Sequence, residues 1–494
     1  MSTADEIKKI RIKKIEALEK SGIESYPGLS FRNCEIQKIL DNFSKWSGVK
    51  KKIWIGGRVM SLRFHGGIVF VDLRDFSGNL QLVFKRGETK NFDLIEGQID
   101  VSDFIEVKGY PFITQRGEKS LFVLEWRLLA KSLKPIPSEW YGIKDIEERF
   151  RKRYLDLILN KEVKERFVLR SKIIQSMREF FNKEDFLEVE TPILQPLHGG
   201  ATARPFVTKL NILDMPLYLR IAPELYLKRL IVGGFEKIYE IGRCFRNEGI
   251  DKTHNPEFTM MELYWAYQNY EGLMDFIEKL IVFILKKTFG SSKNYLMITY
   301  NNQQIDFTPP WPRKSFLDLI KEKAGVDPEK NDEKSILALL QSKGIEITDE
   351  MKKFNKWELL DEVYKKICLE TIVQPTFVVH HPVALSPLAK LRKENKNEVQ
   401  RFQLIAAGIE FVNGYSELND PIDQEKRFKT QEERRKAGNE EAAPYDKDYV
   451  EALEYGMPPT AGVGIGIDRL VMLLTNAPNL KEIIFFPTLK PKKD

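Results

Sequence analysis

The sequence predicts an α+β protein in which a small N-terminal OB-fold β-barrel precedes a larger domain with an antiparallel sheet flanked by helices. Three observations support this fold class. Five short runs of alternating apolar and polar residues, separated by Gly, Asn and Asp, follow one another between residues 53 and 133. The segment "KPIPSEWYGIKD" comes next and has the composition of a linker. Helical and strand patterns then mix without the regular alternation of parallel βαβ units.

The chain has 494 residues, which is too long for one average domain. Changes in composition and in the hydrophobic pattern along the chain predict four regions. These are a basic helical region at 1–48, the barrel at 49–134, a linker at 135–150 and the larger domain at 151–494.

The first of these regions contains the period of an amphipathic helix between residues 5 and 20. Four apolar residues are expected on one side of this helix: Ile7, Ile10, Ile15 and Leu18. The helix is also basic, as is the end "LKPKKD", although the net charge of the whole chain is only +6. Such basic runs usually form solvated surface and less often contact nucleic acid or another polyanion.

Several classes of protein are disfavoured by the composition. Cys34, Cys244 and Cys368 stand alone, so neither a disulfide framework nor a zinc site is predicted, and a reducing compartment is favoured. The longest aliphatic runs, such as "LIVFIL", are much shorter than a membrane span, and the charged N-terminus is unlike a signal peptide. We therefore expect a cytoplasmic protein with no membrane partner.

Polar and charged residues concentrate in "YEIGRCFRNEGIDKTHNPEFTMMELYWAY". This segment is predicted to form a strand that ends at Arg246, a polar loop from Asn247 to Pro256 and a returning strand. Burying so many charges in one hairpin is costly unless they serve a ligand. The alternative is a network of structural ion pairs. The residues concerned are Arg243, Arg246, Glu248, His254, Glu257 and Glu262.

A second unusual segment, "AGVGIGIDRLVML", has glycine at every second position. It matches neither a dinucleotide-binding nor a phosphate-loop motif. Because side chains two apart lie on one face of a strand, Gly462, Gly464 and Gly466 would leave that face bare. A helix is predicted next, with Arg469 in its first turn, where a cation is unfavourable unless an anion lies nearby. The alternative is a strand packed tightly under a helix.

These two segments resemble motifs 2 and 3 of class II aminoacyl-tRNA synthetases, and "FLEVETPIL" after the helical pattern of Val163–Lys183 resembles motif 1. Nearly the whole chain is similar to bacterial-type class II (subclass IIb) lysyl-tRNA synthetases. The similarity also includes "HGGATARPF", "LRIAPELYLKRLIVGGFEKIYEIGR" and "NGYSELNDPIDQ". It implies ATP-dependent ligation of L-lysine to tRNA(Lys) through a lysyl-adenylate. It also implies a homodimer whose interface includes residues 186–194.

The resemblance implies an ATP site with Arg246 and Arg469 as catalytic residues. In such enzymes the glycine strand, including Gly466, forms a floor for ATP, and Phe258 stacks on the adenine. The remaining implied ATP contacts are Glu248, His254, Asn255 and Glu410. Adenylate formation needs no side-chain base, because the amino-acid carboxylate is already a nucleophile. It does need cations that reduce repulsion between two anions and hold them in line.

One departure from the family concerns Mg²⁺, of which more than one ion is expected with ATP. The family usually has two metal-binding carboxylates seven residues apart, but this chain has Gln403 at the first position and Glu410 at the second. An amide oxygen can still ligate Mg²⁺ although it contributes no charge. We therefore expect both residues to bind metal, with activity that requires more free Mg²⁺ than in a two-carboxylate relative.

An excess of carboxylates is predicted around the amino acid. The implied lysine-binding residues are Gly200, Glu224, Glu262, Tyr264, Asn413, Tyr415 and Glu417. Glu262 and Glu417 are expected around the side chain of lysine, and Glu224 near its α-amino group. The alternative is that these glutamates pair with Arg220, Lys228 or Arg243. Aspartyl and asparaginyl enzymes share the fold, but "NGYSELND" does not resemble the pocket that their substrates need.

Four positions of the barrel match those that the family uses to bind anticodon bases: Arg63, Phe70, Gln81 and Glu118. Aromatic stacking and polar side chains on an OB-fold face suit single-stranded bases. For Phe70 a place in the barrel core is an equally good interpretation.

Two other functions are compatible with parts of the sequence. A synthetase paralogue that attaches lysine to a protein resembles the larger domain but lacks the barrel. A catalytically inactive RNA-binding protein could also descend from a synthetase, but Arg246, Glu262, Glu410 and Arg469 are all present, which argues against it.

Overall fold

The computed structural model describes residues 4–137, 145–349, 351–436 and 444–492. The chain divides into two compact units, Met1–Lys144 and Asp145–Asp494. Residues 138–144 of the expected linker lie outside the described residues. The predicted α+β fold class, with an OB-fold barrel before a mixed-sheet domain, is confirmed.

The first unit contains a closed barrel in which the strand order is β1-β2-β3-β5-β4. Its strands are β1 Ile53–His65, β2 Ile68–Arg74, β3 Asn79–Lys85, β4 Phe104–Ile113 and β5 Lys119–Ala130. Its helices are α1 Ala4–Lys20, α2 Ile36–Asp41, α3 Phe43–Gly48 and α4 Phe92–Gln98. Along β2, Val69, Val71 and Leu73 are buried and alternate with more exposed residues, as expected for one face on a core.

The N-terminal helices share the hydrophobic core of the barrel. Leu18 of α1 and Phe43 of α3 are buried in the same cluster as the inner barrel residues. The expected position of Ile10 on the apolar side of α1 is wrong, because this side chain is 53% exposed. Arg11 points inwards instead and donates to the carbonyl of Ser132 at 2.7 Å. Its aliphatic stem can be buried while its charged end stays hydrogen-bonded.

The second unit is built on a sheet of eight strands among the described residues, in the order β14-β15-β16-β17-β18-β11-β10-β6. Neighbouring strands from β15 to β10 are antiparallel, and the two outermost pairs are parallel. The strands of this unit are β6 Leu187–Glu188, β7 Leu194–Gln195, β8 Val207–Leu210, β9 Met215–Leu219, β10 Lys237–Phe245, β11 Glu257–Ala266, β12 Met297–Tyr300, β13 Gln303–Asp306, β14 Arg313–Ser315, β15 Thr376–Val379, β16 Arg401–Ala406, β17 Ile409–Ser416 and β18 Thr460–Gly466.

Helices flank this sheet. They are α5 Ile146–Arg151, α6 Arg153–Leu159, α7 Lys161–Lys183, α8 Glu224–Val232, α9 Tyr270–Phe289, α10 Phe316–Ala324, α11 Glu333–Ser342, α12 Lys356–Val363, α13 Pro421–Lys436, α14 Lys447–Glu454 and α15 Ile467–Leu474. No helix in the described ranges is both long and apolar enough to span a membrane.

One face of the sheet packs on α7, α9 and α15. Ala461, Val463 and Ile465 of β18 point into this core, together with side chains of the three helices. Because successive side chains of a strand alternate between faces, Gly462, Gly464 and Gly466 lie on the opposite face, as predicted. That opposite face carries the candidate site.

Candidate active site

A cavity of about 580 Å³ lies on the glycine-bearing face of the sheet. Four residues on neighbouring strands form a row across its floor, since Gln403 is opposite Asn413, Asn413 is opposite Gly464, and Gly464 is opposite Glu262. The sheet thus brings together segments that are far apart in the sequence. The predicted site residues that line the cavity are Gly200, Glu224, Arg246, Glu248, His254, Asn255, Phe258, Glu262, Tyr264, Gln403, Glu410, Asn413, Tyr415, Gly466 and Arg469.

The glycines of β18 differ in what they allow. A Cβ at position 462 would collide with the Glu417 carboxylate and the Tyr264 ring, so Gly462 is required by close packing. The nearest atoms to a Cβ at 464 or 466 are 3.8 Å away, which is ordinary contact. Both interpretations of the glycine pattern therefore apply, tight packing at position 462 and an open floor at Gly464 and Gly466.

Arg246 lies in the cavity wall without an anionic partner among the described residues. Its Nε is buried and makes no hydrogen bond, and its guanidinium lies 5.0 Å from the centroid of the Phe258 ring. Desolvation lowers the pKa of Arg246, although an arginine stays charged in practice. A desolvated guanidinium without a counterion is unfavourable, so this wall is suited to an anionic ligand.

Arg469, in the first turn of α15, also lacks a carboxylate partner among these residues. It donates to the carbonyl of Glu410 at 3.0 Å and to Nε2 of His254 at 2.9 Å. Because His254 accepts through Nε2, its Nδ1 carries the proton and donates to Asp251 at 2.8 Å. The neighbouring Asp468 pairs with Arg170, at 2.6 Å, and not with Arg469.

The carboxylates predicted to recognise lysine surround a lysine of the protein itself. Lys228 on α8 is completely buried and pairs with Glu224 and Glu417. Tyr415 donates a further hydrogen bond to Glu224 at 2.5 Å. Glu417 is 1% exposed and is not part of the cavity lining. For two of the three glutamates the structure therefore shows the alternative pairing with Lys228.

Glu262 is the exception, because no cation pairs with it in the described structure. Its carboxylate accepts a hydrogen bond from the hydroxyl of Tyr264 at 2.9 Å and faces the cavity. Burial, with help from the negative charge of Glu224, raises the pKa of Glu262 to about 8. By contrast, burial opposes charge on Lys228, but attraction to Glu224 and Glu417 keeps the pKa of Lys228 above its ordinary value.

The two expected metal ligands differ in their fit to a cation. The carboxylate of Glu410 lines the cavity and makes no hydrogen bond or ion pair with a described residue, so it is free to act as a ligand. Oε1 of Gln403 accepts hydrogen bonds from Tyr364 at 2.8 Å and His381 at 3.1 Å. These donors use both lone pairs, so the geometry does not support the expectation that Gln403 ligates Mg²⁺. The described residues contain no group of three or more His, Cys, Asp or Glu arranged for a metal.

Sequence reasoning missed some residues of the site. Tyr364 and His381 belong to none of the recognised motifs, and their packing against Gln403 depends on contacts between distant segments. Lys228 was predicted only as an alternative partner of the glutamates, although it stands one helical turn after Glu224.

Gly200, which was predicted as a site residue, has a positive φ of 85°, and a Cβ there would lie 2.9 Å from Cβ of Glu224. Both observations favour glycine at this position.

The four predicted residues of the barrel lie on the outward face of its strands and the adjoining loop, where Gln81 is itself buried at 8% exposure. Arg63 and Phe70 are paired residues of β1 and β2, and Nε2 of Gln81 donates to Glu118 at 3.2 Å. Phe70 is half-buried and lies on the opposite face of β2 from the core residues, so its interpretation as a barrel-core residue is wrong. Arg63 donates to Asp72 at 3.2 Å, on the same surface.

Comparison with known families assigns both units. Residues 145–490 match the model for tRNA synthetases class II (D, K and N). Residues 53–129 match the model for an OB-fold nucleic acid binding domain.

Full-length relatives give the same result. A lysine–tRNA ligase from Syntrophomonas wolfei is 49% identical over 491 residues, covering 99% of this chain and 97% of the relative. A lysine–tRNA ligase from Thermotoga maritima is 47% identical over 494 residues, with 99% and 97% covered. One from Carboxydothermus hydrogenoformans is 47% identical over 492 residues, with 99% of both chains covered.

Proposed function

The chain belongs to the class II tRNA synthetases, as a lysine–tRNA ligase that charges tRNA(Lys) with L-lysine, and we propose on this basis that its cavity forms a lysyl-adenylate from lysine and ATP. The lysine carboxylate attacks the α-phosphorus of ATP and pyrophosphate leaves. A ribose hydroxyl of the terminal adenosine of tRNA, the 3′-hydroxyl by class membership, then attacks the adenylate carbonyl and AMP leaves. The substrates are therefore ATP, L-lysine and tRNA(Lys).

The observation that carries this proposal is the presence of two arginines in one cavity without carboxylate partners in the described structure. We assign Arg246 to the α-phosphate and the lysine carboxylate, and Arg469 with His254 to the outer phosphates. The planar guanidinium binds two oxygens at once and keeps its charge. Two such groups reduce repulsion between the carboxylate and the phosphate and stabilise charge that develops at phosphorus.

The nucleoside part of ATP is assigned to the motif 2 hairpin and the glycine strand. Phe258 would stack on the adenine, and Glu248 would accept a hydrogen bond from its amino group. Asn255 lies on the same loop, where its side-chain nitrogen donates to the carbonyl of Glu257 at 2.6 Å. Gly466 leaves the floor open beneath the nucleotide.

Lysine recognition is assigned to the carboxylates at the other end of the floor. Glu262 is the best candidate for the ε-ammonium because it faces the cavity without a cation of its own, and Tyr264 orients it. Glu224 and Glu417 would contribute negative potential that Lys228 only partly neutralises. Tyr415 would contact the methylene stem, and Gly200 with Asn413 would complete the wall.

Mg²⁺ is proposed to bind at Glu410 together with the phosphates, because Mg²⁺ commonly uses one or two carboxylates plus substrate oxygens. The ion would supply additional charge neutralisation at the phosphates. Gln403 is left out of this ligand set, since its oxygen is engaged by Tyr364 and His381.

The barrel is proposed to bind the anticodon through Phe70, Arg63, Gln81 and Glu118. Phe70 supplies a partly exposed aromatic ring for stacking, and the hydrogen-bonded pair of Gln81 and Glu118 supplies polar groups beside it. The presence of the barrel argues against the alternative function, attachment of lysine to a protein, because the paralogues with that function lack a barrel.

We also propose a homodimer. Apolar side chains lie exposed on the segment expected at the interface, with Leu187, Ile193 and Leu194 at 44–51% exposure, and on β8 of the same three-stranded sheet as Leu194, with Val207 at 64%. An apolar surface of this kind is suited to a subunit interface when its members are contiguous. Sedimentation that finds a fully active monomer of 57.6 kDa would refute this.

The cellular compartment is proposed to be the cytoplasm, because the three cysteines are free and buried, as expected in a reducing environment.

The decisive experiment is exchange of pyrophosphate into ATP with each amino acid in turn, followed by charging of tRNA(Lys). We expect exchange that depends on lysine and that is much weaker with close diamino analogues. Exchange with aspartate or asparagine would overturn the substrate assignment, and no exchange with any amino acid would support the inactive RNA-binding alternative.

A further inference from the structure

A buried group of three side chains lies on the β16 side of the cavity. It consists of Gln403, Tyr364 and His381. Tyr364 comes from the turn after α12, and His381 follows β15. Tyr364 and His381 are each 2% exposed, and Gln403 is 6% exposed and lines the cavity.

The hydrogen bonds fix the orientation of the Gln403 amide. Its Oε1 accepts from the Tyr364 hydroxyl and from Nε2 of His381. With the amide reversed, the hydroxyl proton of Tyr364 would have no acceptor in the described structure. Burying such a donor without an acceptor costs about 1–3 kcal/mol. The observed orientation avoids this cost at Tyr364, whereas Nδ1 of His381 makes no hydrogen bond with a described residue.

The amide nitrogen of Gln403 is consequently left for the cavity. It makes no hydrogen bond with a described residue, and it is not among the buried polar atoms that lack partners. An N–H group can donate to an anion but cannot ligate a cation. Lys365, the residue after Tyr364, lines the same cavity and pairs with Asp361 at 2.6 Å, so this wall presents donors as well as carboxylates.

We propose that Gln403 donates a hydrogen bond to a phosphate oxygen of the bound nucleotide, and that Tyr364 and His381 are positioning residues that hold its amide in the donating orientation. The inference rests on the proposed function, which supplies a polyphosphate in this cavity. It assigns Gln403 to the substrate anion, in place of the metal role that its position in the sequence suggested. Glu410 remains the carboxylate available to the cation.

The test measures ATP dissociation constants by calorimetry without lysine, first with EDTA and then with Mg²⁺, for three variants. Gln403→Met removes the donor at similar size and should weaken ATP binding about 10- to 150-fold in EDTA, the range for a hydrogen bond to a charged group. Gln403→Glu should weaken it further, because a carboxylate repels phosphate. Tyr364→Phe should weaken it by a smaller factor of about 3–10, since the amide loses one of its two anchors.

Two control measurements separate a local effect from misfolding. In Tyr364→Phe the lysine dissociation constant should stay at the wild-type value and the melting temperature should fall by no more than about 4 °C, the shift for one lost hydrogen bond, which also keeps the test decisive if a Gln403 variant fails to fold. Unchanged ATP affinity in both Gln403→Met and Tyr364→Phe overturns the inference. So does a Gln403→Glu protein that binds ATP more tightly with Mg²⁺ and reaches full exchange at a lower Mg²⁺ concentration, because that result marks a metal-binding position.

The inference and the proposed function can fail separately. Absence of lysine-dependent exchange in the wild-type protein refutes the proposed function whatever the binding data show. Normal exchange in the wild type, together with wild-type ATP affinity in the variants, refutes only the assignment of Gln403.

Discussion

The pH dependence of lysine binding provides the sharpest test of the pocket, through the variant Glu262→Gln. In the ligand-free protein, burial and the negative charges of Glu224 and Glu240 raise the pKa of Glu262, while Tyr264 and Lys228 act in the opposite direction, and the result is about 8. The ionised carboxylate is the form that attracts an ammonium. Below pH 8 lysine binding must therefore displace a proton, and its apparent affinity should rise with pH.

The magnitude follows from the fraction of protein with ionised Glu262. At pH 7, one unit below the pKa of Glu262, about one molecule in ten is competent, so the dissociation constant for lysine should be about tenfold higher than its limiting value. At pH 6 the factor is about 100. Glutamine resembles the protonated acid, so the Glu262→Gln variant should resemble wild type at pH 6. At pH 9 it should bind lysine about 10- to 150-fold more weakly, corresponding to 1.5–3 kcal/mol for a hydrogen bond to a charged group.

The assay is the lysine dependence of pyrophosphate exchange at saturating ATP between pH 6 and pH 9, for wild type and Glu262→Gln in parallel. Titration of the amino groups of free lysine affects both proteins equally and cancels in the ratio of their constants. The KM for ATP serves as an internal control. A ratio that does not change with pH would refute the assignment of Glu262 as the titrating partner of the ε-ammonium.

Three further predictions concern other parts of the site. Arg246→Lys keeps the charge but loses the planar fork, and should lower kcat/KM for exchange about 10²- to 10³-fold with a smaller effect on lysine binding. Phe70→Ala, which removes a stacking ring, and Glu118→Ala, which removes a hydrogen-bonding carboxylate, should each raise the KM for tRNA by a factor corresponding to about 1–3 kcal/mol and leave exchange intact, whereas equal losses in both assays would indicate a folding role. Glu417→Gln leaves the buried ammonium of Lys228 undercompensated and should lower the free energy of unfolding by about 3 kcal/mol, to be measured by urea titration at pH 7.

The fold was largely predictable because its signals are local. The alternation of β18 and the apolar period of α15 lie within single segments, and the structure has the strand at Thr460–Gly466 and the helix at Ile467–Leu474. The motif 2 hairpin was predicted for the same reason, with β10 ending at Phe245 and β11 beginning at Glu257. The position of Ile10 was predicted wrongly because α1 buries Arg11 instead. A helical period cannot show that the carbonyl of Ser132, far along the chain, accepts a hydrogen bond from this arginine.

The candidate site was less predictable, because side-chain partners depend on segments that are distant in the sequence. Glu262 and Glu417 look equivalent in a motif, yet Lys228 pairs with only one of them. The role of Gln403 depends on Tyr364, 39 positions earlier, and on His381, 22 positions earlier. No spacing in the sequence predicts that a tyrosine and a histidine both donate hydrogen bonds to the amide oxygen of Gln403.

The pocket should also reject norleucine, which has the shape of lysine without its ε-ammonium, and this rejection should depend on pH. At pH 9 Glu262 is ionised, so norleucine must either bury an unpaired carboxylate or force it to take up a proton, and a site that loses its polar partner discriminates strongly. At pH 6 the carboxyl is already protonated and can be buried at less cost, while lysine loses about 100-fold in affinity. Lysine thus loses about 100-fold and norleucine gains about tenfold, so the ratio of kcat/KM for lysine over norleucine should fall by about three powers of ten from pH 9 to pH 6 in wild type, and stay nearly constant in Glu262→Gln. A wild-type ratio that is constant over this range would mean that another group, with Glu417 beside Lys228 as the next candidate, recognises the ammonium.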